Sequence, residues 1–159
     1  MKDDIQCCAG ISLSKEEREA CISLIKEGGA VDPKKAEAEL PLAKLVAIKR
    51  AGQDTVGVGA IKRCRPRYAC SIAEKSKFQF DPCSHEFGYV AIKESHREQR
   101  LSHIITAKLL SKFQERPLFA TTSNENMKRT LRKAGFVQRG KEWMGKKEQL
   151  SLWINNGES

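Results

Sequence analysis

The segment with the clearest chemical pattern joins an apolar strand to a long helix through a charged loop. The strand pattern covers residues 86–93, and the loop that follows, 94–103, carries Arg97 and Arg100. Backbone amides at the start of a helix point outward and, together with the helix dipole, attract anions such as phosphate. Arginines add charge-assisted hydrogen bonds to such a group. The residues predict an anion site here, and the competing interpretation is an ordinary strand-to-helix connection with solvated arginines.

The elements before this loop are marked by capping residues. Ser14 and Glu17 have the spacing of a capping box, and the helix that they open ends at Gly28-Gly29. Asp32-Pro33 opens a second helix, which ends before Pro41. Two strands are then predicted at 44–50 and 55–63, joined by a turn at 51–54, whereas 68–74 is interpreted as a short strand or a turn. No clear strand is predicted in 5–13.

The elements after the loop alternate between helix and strand. The helix beyond the loop is predicted from one apolar stripe, namely Leu101, Ile104, Ile105, Leu109 (with Leu110) and Phe113. A strand is predicted at 118–122, a helix that ends at Gly135, and two closing strands at 136–140 and 149–154. This order predicts an α/β fold (an α+β mixed sheet) whose central sheet is mostly antiparallel and carries helices on both faces.

Length and hydropathy limit the class of protein. The chain has 159 residues, of which 40% are hydrophobic and 31% charged, and its longest apolar run is only 45–48. A spanning helix needs roughly 20 apolar residues, and the first residues lack the apolar stretch of a secretory signal. We therefore expect a soluble, cytoplasmic protein. The predicted single domain, 1–159, comprises helices at 14–40, a core at 42–136 and closing strands at 136–154.

The positive charge leaves the kind of partner open. A formal net charge of +9 favours polyanionic partners, although it also fits a merely solubilising surface. The densest basic cluster before the loop contains Lys62, Arg63, Arg65 and Arg67. Aromatic residues make up only 6% of the chain and are not interleaved with basic ones, so no motif supports nucleic-acid binding.

The cysteines fit reduced thiols better than a disulfide framework or a metal site. Their even number suggests disulfides, but a chain without a secretory signal is expected to keep them reduced. Zinc ligand types occur at Cys64, Cys70, Cys83 and His85, yet the short C-x-x-C turns of most structural zinc sites are absent from this set. No metal site is predicted.

Two stretches resemble the GNAT acyltransferase family. In the first, 86–105, the residues at 97–102 match the family's acetyl-CoA loop, Gln/Arg-x-x-Gly-x-Gly/Ala, between its fourth strand and third helix. In the second, 124–136, Asn124 and the closing Gly-Phe match the family segment Asn-x-x-Ala-x-x-x-Tyr-x-x-x-Gly-Phe. The resemblance covers about 42–154, is strongest over 86–136, and implies a GNAT-like acyltransferase fold.

The resemblance implies a set of acetyl-CoA contacts. It places the pantetheine arm on the strand backbone at a splay between two strands, the pyrophosphate on the amides of the loop and helix start, and an asparagine on the pantetheine or CoA. The implied cofactor-binding residues are Val90, Ala91, Ile92, Arg97, Glu98, Gln99, Arg100, Leu101, Ser102, His103 and Asn124. Acetyl-CoA would be the acyl donor, with no metal required.

The loop and the second segment depart from the family pattern. Arg100 stands where the family has glycine, which lets the backbone approach the pyrophosphate closely, and Ser102 replaces a second small residue. Leu131 stands where many members carry a tyrosine that protonates the departing thiolate, and neither Tyr68 nor Tyr89 falls at that position. A water, or the low basicity of the thiolate itself, would have to suffice.

The function implied is an acetyl-CoA-dependent N-acetyltransferase that acetylates a primary amine by direct attack in a ternary complex. Several family members place a catalytic glutamate where Glu86 stands, so Glu86 is the predicted general base. His85 is the next choice, although adjacent strand residues face opposite ways. The acceptor would be an amine-bearing small molecule or a protein or peptide amine, and a homodimer is left open. The alternatives are a catalytically degenerate GNAT-fold binding module and a nucleic-acid-directed protein.

Overall fold

The computed structural model describes residues 5–29 and 31–157. The helices within these ranges are α1 (Lys15–Gly28), α2 (Pro33–Glu39), α3 (Pro66–Ser76), α4 (Leu101–Lys112) and α5 (Glu125–Lys133). The strands are β1 (Ile5–Cys8), β2 (Leu45–Ala51), β3 (Asp54–Lys62), β4 (His85–Ile92), β5 (Leu118–Thr122), β6 (Val137–Met144) and β7 (Gln149–Asn155). Short 3-10 turns lie at Gly10–Ser12, Leu40–Leu42 and Glu94–Gln99.

The strands form one mixed sheet in the order β1-β2-β3-β4-β5-β7-β6. The pairs β1–β2, β2–β3, β5–β7 and β6–β7 are antiparallel. The pair β4–β5 is parallel, with His85 opposite Leu118 and Glu86 opposite Phe119. The prediction of a mixed, mostly antiparallel sheet in an α/β fold is confirmed.

The chain divides into two compact units. The first contains residues 1–63 and 88–113, and the second contains 64–87 and 114–159. Strand β4 therefore contributes residues to both. Each unit has its own hydrophobic packing, described separately below, and the predicted single domain stays a prediction.

In the first unit, helices cover both faces of the strands. Side chains of α1, including the buried Leu24 and Ile25, pack with Val46, Ile48 and Val58 on one face. Because strand residues alternate between faces, the intervening positions of β3 point to the other face, where α4 lies. The predicted helices on both faces are thus present in this unit.

Two glycines on β3 seat α4 at close range. A Cβ on Gly57 would lie 2.8 Å from Ile105 Cδ1, and a Cβ on Gly59 would lie 2.8 Å from Ile105 Cγ2. Real side chains do not approach a Cβ so closely, so any larger residue would push Ile105 away. The side chains of Val90 and Ile92 on β4 lie against the same two glycines. These four residues form the surface on which α4 packs, which we call the glycine seat.

In the second unit, α3 and α5 pack on opposite faces of β5 and β7. Ala69 and Ile72 of α3 join a core with Phe119 and Leu152. On the other face, the Arg132 guanidinium of α5 lies 5.3 Å from the ring of the neighbouring strand residue Trp153. Trp153 is 1% exposed and belongs to the core of this unit.

The interpretation of 68–74 as a strand or turn is wrong, because these residues belong to α3. The helix begins at Pro66 in its first position and ends at Lys77, whose φ of 60° is left-handed. Its buried residues, Ala69, Ile72 and Ala73, have the spacing of one helical face. That stripe is short and rich in alanine, so its hydrophobic pattern is weak.

Smaller differences concern the edges of the sheet and the stripe of α4. Strand β1, which the sequence did not show clearly, pairs with β2 over four residues. Strand β6 runs to Met144 rather than ending at 140, and β6–β7 pairing is interrupted between Arg139 and Trp143. Ile104 is 39% exposed and lies outside the buried stripe that the sequence predicted.

None of the helices in the described ranges is long and apolar enough to cross a membrane.

Helix α1 is anchored by the predicted capping box, which carries a pH-dependent charge. Glu17 Oε1 accepts a hydrogen bond from Ser14 N at 2.9 Å, and Glu17 Oε2 pairs with Arg50 at 2.7 Å and with Gln6 at 3.2 Å. The Ser14 amide, followed by Arg50 and Gln6, lowers the pKa of Glu17 from 4.5 to about 2.

We expect Glu17→Gln to lower the free energy of unfolding at pH 7 by about 1 kcal/mol. Since the folded-state pKa is lowered, the charge stabilises the fold above about pH 4.5, and this contribution is lost as the pH falls towards 2. Urea unfolding between pH 2 and pH 7 measures it. Glu16→Gln in the same turn is the control, and a pH-independent difference between Glu17→Gln and the wild type would contradict the assignment.

Candidate functional site

Strand β4 carries a backbone distortion in its interior, just before the predicted pantetheine contacts. Tyr89 has a φ of 56°, a left-handed conformation that costs on the order of 1–3 kcal/mol for a residue with a side chain. Its ring is buried, and Lys62 Nζ lies 3.9 Å from the ring centroid. Such strain persists only where the surroundings impose it, and it is concentrated at functional sites.

The residues after Tyr89 have alternating orientations. Ala91 joins the core with α1, whereas Val90 and Ile92 face the glycine seat of α4. The side chains of these three residues are thus used in packing, and a ligand running along this strand would meet their backbone. The pantetheine role that the resemblance assigned to Val90, Ala91 and Ile92 requires only backbone groups.

The loop after β4 is tied back to the strand by Arg97. Its Nε donates a hydrogen bond to the carbonyl of Ile92 at 3.0 Å. Lys93 pairs with Asp54 at 2.8 Å, and this hydrogen bond lowers the pKa of the Asp54 carboxyl and raises that of Lys93. Side-chain contacts at two adjacent residues, Ile92 and Lys93, therefore hold the turn in place.

Arg100 forms the corner between the loop and α4. It has φ 59° and ψ 28°, the left-handed conformation that glycine adopts without steric cost. The i→i−4 ladder of α4 starts with Ile104 N to Arg100 O at 3.3 Å, so the amides that precede Ile104 point out of the helix end. The helix start that the sequence predicted is therefore present, and its binding of an anion stays a prediction.

The predicted cofactor residues next to Arg100 lie partly in the first turn of α4 and partly in the 3-10 turn before it. Leu101, Ser102 and His103 form the first turn of α4, where Leu101 is buried. The backbone of Glu98 and Gln99 belongs to the 3-10 turn Glu94–Gln99, while their side chains lie outside the described part of the structure. The backbone groups at the corner, rather than the side chains, are thus the ones that the structure orients.

Asn124 belongs to the second unit and caps α5. Its side chain accepts a hydrogen bond from Met127 N at 2.9 Å, the usual role of asparagine at a helix start. Leu131, at the position of the family's tyrosine, is fully buried in α5. The contact of Asn124 with pantetheine or CoA stays a prediction.

The predicted base, Glu86, is a buried carboxylate paired with Arg65. The two side chains meet at 3.2 Å between Glu86 Oε1 and Arg65 Nη2, and the Glu86 side chain is 6% exposed. The Arg65 guanidinium also lies 4.3 Å from the centroid of the Tyr68 ring. A buried carboxylate requires such a partner, because an unpaired charge away from water is costly.

A second polar group lies beside Glu86 along the chain. Ser84 Oγ is buried and has no hydrogen-bond partner among the described residues. Buried hydroxyls are nearly always satisfied by protein or by water. His85, the alternative base, has Nδ1 3.9 Å from a carboxylate oxygen of Glu115.

None of the six cysteines, all of which lie in the described ranges, forms a disulfide. Within residues 5–29 and 31–157, no group of three or more histidine, cysteine, aspartate or glutamate side chains is arranged to hold a metal ion.

Sequence reasoning missed two residues that shape these sites. Arg65 was noted only as part of a basic cluster, because the helix that positions it was not recognised. Lys62 covers the Tyr89 ring, and its Cε would lie 2.9 Å from a Cβ on Gly88. The only available signal was the basic run that contains both residues.

Comparison with solved structures identifies the fold. A GNAT-family acetyltransferase from Streptococcus agalactiae superposes with a TM-score of 0.73 at 15% identity, covering 98% of this chain and 96% of its own. The yncA protein of Salmonella typhimurium, solved with its cofactor acetyl-CoA, has a TM-score of 0.68 at 12% identity, with 98% and 95% covered. The ribosomal-protein-alanine N-acetyltransferase of Brucella melitensis has a TM-score of 0.66 at 15% identity, with 96% and 98% covered.

The chain therefore has the GNAT acetyltransferase fold over nearly its whole length, and the fold expected from the resemblance is confirmed. No family model and no curated protein matches the sequence.

At Arg100 we expect glycine to be more stable than alanine, the reverse of the usual preference in helices. We expect Arg100→Gly to be more stable than Arg100→Ala by about 1 kcal/mol, because alanine keeps the left-handed penalty and glycine does not. Urea unfolding of both variants measures this difference. At ordinary helical positions alanine is the more stable of the two, so a more stable Arg100→Ala would contradict the left-handed corner.

Proposed function

We propose that the protein is an acetyl-CoA-dependent N-acetyltransferase that acts on a primary amine. The observation that carries the proposal is the corner between β4 and α4. Strained backbone at Tyr89 and Arg100 lies on either side of it, and the backbone amides at the start of α4 point outward. The fold shared with proteins named acetyltransferases, one of them solved with acetyl-CoA, supports the same activity.

The residues at this corner fit the donor's chemistry. The amides of Leu101, Ser102 and His103 at the helix start suit a diphosphate, and Arg97 and Arg100 bring two guanidinium groups to the same loop. The backbone of Val90, Ala91 and Ile92 suits the amide-bearing pantetheine arm, because extended backbone pairs with amide groups. Glu98 and Gln99 contribute the backbone between them, and Asn124 is the remaining contact that we assign.

Glu86 is the group to which we assign proton removal from the amine. Acetyl-CoA supplies an activated thioester, whose acetyl carbon the neutral amine attacks while the carbon–sulfur bond breaks. The proton that the amine loses passes to Glu86, directly or through a water, and the CoA thiolate leaves. Arg65 holds Oε1 of the carboxylate in place during this transfer.

The acceptor is an amine-bearing small molecule or the amine of a protein or peptide. One structural neighbour is named for the alanine of a ribosomal protein, so peptides with free amino termini belong in the acceptor panel.

The first test is calorimetric titration with acetyl-CoA. We expect micromolar binding that Arg97→Ala weakens about tenfold, because the variant loses a charged hydrogen-bond donor. Lys35→Ala, which removes an equal charge from the exposed surface of α2, should bind like the wild type. The cofactor assignment would be wrong if acetyl-CoA did not bind at millimolar concentration.

The second test separates catalysis from binding. Glu86→Gln keeps an oxygen for Arg65 but cannot take up the proton, so we expect CoA release with an amine panel to slow about 100-fold. Acetyl-CoA affinity should stay near that of the wild type. The panel contains polyamines, amino acids and short peptides, and Glu74→Gln on the exposed side of α3 is the matched control.

Two results would contradict the catalytic assignment. An unchanged rate in Glu86→Gln would remove Glu86 from the reaction while leaving the transferase activity in place. Acetyl-CoA binding without transfer to any amine would instead favour a GNAT-fold binding module. Circular dichroism of each variant excludes loss of the fold as the cause.

A further inference from the structure

Two thiols that the proposed acetyl transfer does not use lie next to each other in the second unit. Cys64 Sγ donates to the carbonyl of Pro82, the residue before Cys83, at 3.6 Å. The Cys83 thiol lies within hydrogen-bonding reach of Cys64, and burial, followed by Cys83, raises the pKa of the Cys64 thiol. The two sulfur atoms therefore belong to chain segments already in contact.

The segment that carries Cys83 is an ordered, exposed turn. Asp81 accepts two hydrogen bonds, from Cys83 N to its side chain at 2.9 Å and from Ser84 N to its carbonyl at 3.0 Å. Cys83 is exposed and Cys64 is half-buried. A small oxidant thus reaches Cys83 first, with Cys64 in position to react next.

We propose that Cys64 and Cys83 are a thiol pair that low-molecular-weight disulfides, such as oxidised glutathione, convert to an intramolecular disulfide. This modification site does not depend on the acetyltransferase activity proposed above.

The reaction proceeds by two thiol–disulfide exchanges. The Cys83 thiolate attacks one sulfur of oxidised glutathione, which forms a mixed disulfide and releases one glutathione thiolate that takes up a proton. The Cys64 thiolate then attacks the Cys83 sulfur and releases the second glutathione. The two protein thiols are oxidised by two electrons and one glutathione disulfide is reduced to two thiols, so the exchange is balanced.

The disulfide would close a loop that contains the whole of α3. Cys64 immediately precedes Arg65, and Cys83 precedes Glu86 by three residues. A covalent link between residues 64 and 83 therefore restrains the two segments that supply the Arg65–Glu86 ion pair. It also restricts the unfolded chain, which stabilises the oxidised fold.

Peptide mapping tests the pair directly, because trypsin separates the relevant cysteines. Cleavage after arginine and lysine, except at Arg65-Pro66, leaves Cys64, Cys70 and Cys83 on peptides 64–67, 68–75 and 78–93. The reduced full chain is incubated with oxidised glutathione, alkylated and digested without reductant. We expect a cross-link between 64–67 and 78–93 that dithiothreitol removes, and a melting temperature that rises on oxidation and returns on reduction.

Single substitutions provide the controls. Cys70→Ser, at an exposed cysteine inside the loop, should form the cross-link at the wild-type rate. Cys64→Ser should stop at the Cys83–glutathione mixed disulfide, and Cys83→Ser should form no intramolecular cross-link. The proposal is overturned if the wild type yields only separate glutathione adducts, a cross-link to Cys70, or disulfide-linked dimers.

Discussion

The close seating of α4 on β3 is the constraint on which the candidate cofactor site depends. Gly57 and Gly59 leave room for Ile105, and Val90 and Ile92 line the same seat from β4. This packing holds the helix against the strands independently of the contacts that the loop makes. Its first turn must then lie where β4 ends, and the chain has only the residues from Lys93 to Arg100 with which to make the connection.

That short connection explains the unusual backbone on either side of it. Tyr89 and Arg100 both adopt left-handed conformations, one inside the strand and one at the helix start. Neither is a glycine, so both conformations are imposed by packing and hydrogen bonding rather than chosen by the residue. The Arg97 bond to Ile92 O and the Lys93–Asp54 pair are contacts that hold the turn in this form.

Local signals predicted most of the fold, and contacts between distant residues account for what they missed. The Ser14–Glu17 capping box, the Asp32-Pro33 start and the two strands joined by a turn within 45–62 depend on neighbouring residues, so the sequence shows them directly. Helix α3 has a weak alanine-rich stripe, and strand β1 has only four residues, so neither gave a clear pattern. The strand–loop–helix corner was predicted because it depends on one strand and the helix that follows it. The Arg65–Glu86 pair, in contrast, joins residues 21 positions apart through the unrecognised helix.

The difference between sequence signals and the conformation that the fold requires also explains the comparisons. The fold matches solved acetyltransferases at 10–15% identity, while no family model matches the sequence. At the corner, the resemblance leads us to expect glycine, and the left-handed backbone that glycine adopts easily is present although the residue is Arg100. The fold requires a left-handed backbone at this position rather than a particular residue type. A residue other than glycine is tolerated there, and it adopts this conformation at a cost of roughly 1–2 kcal/mol. A guanidinium beside a helix start can offset that cost when an anion binds, because it adds positive charge where the amides already point outward. If the loop binds an anion as proposed, Arg100 combines a conformational cost with a favourable charge, a combination that a search by residue type does not detect.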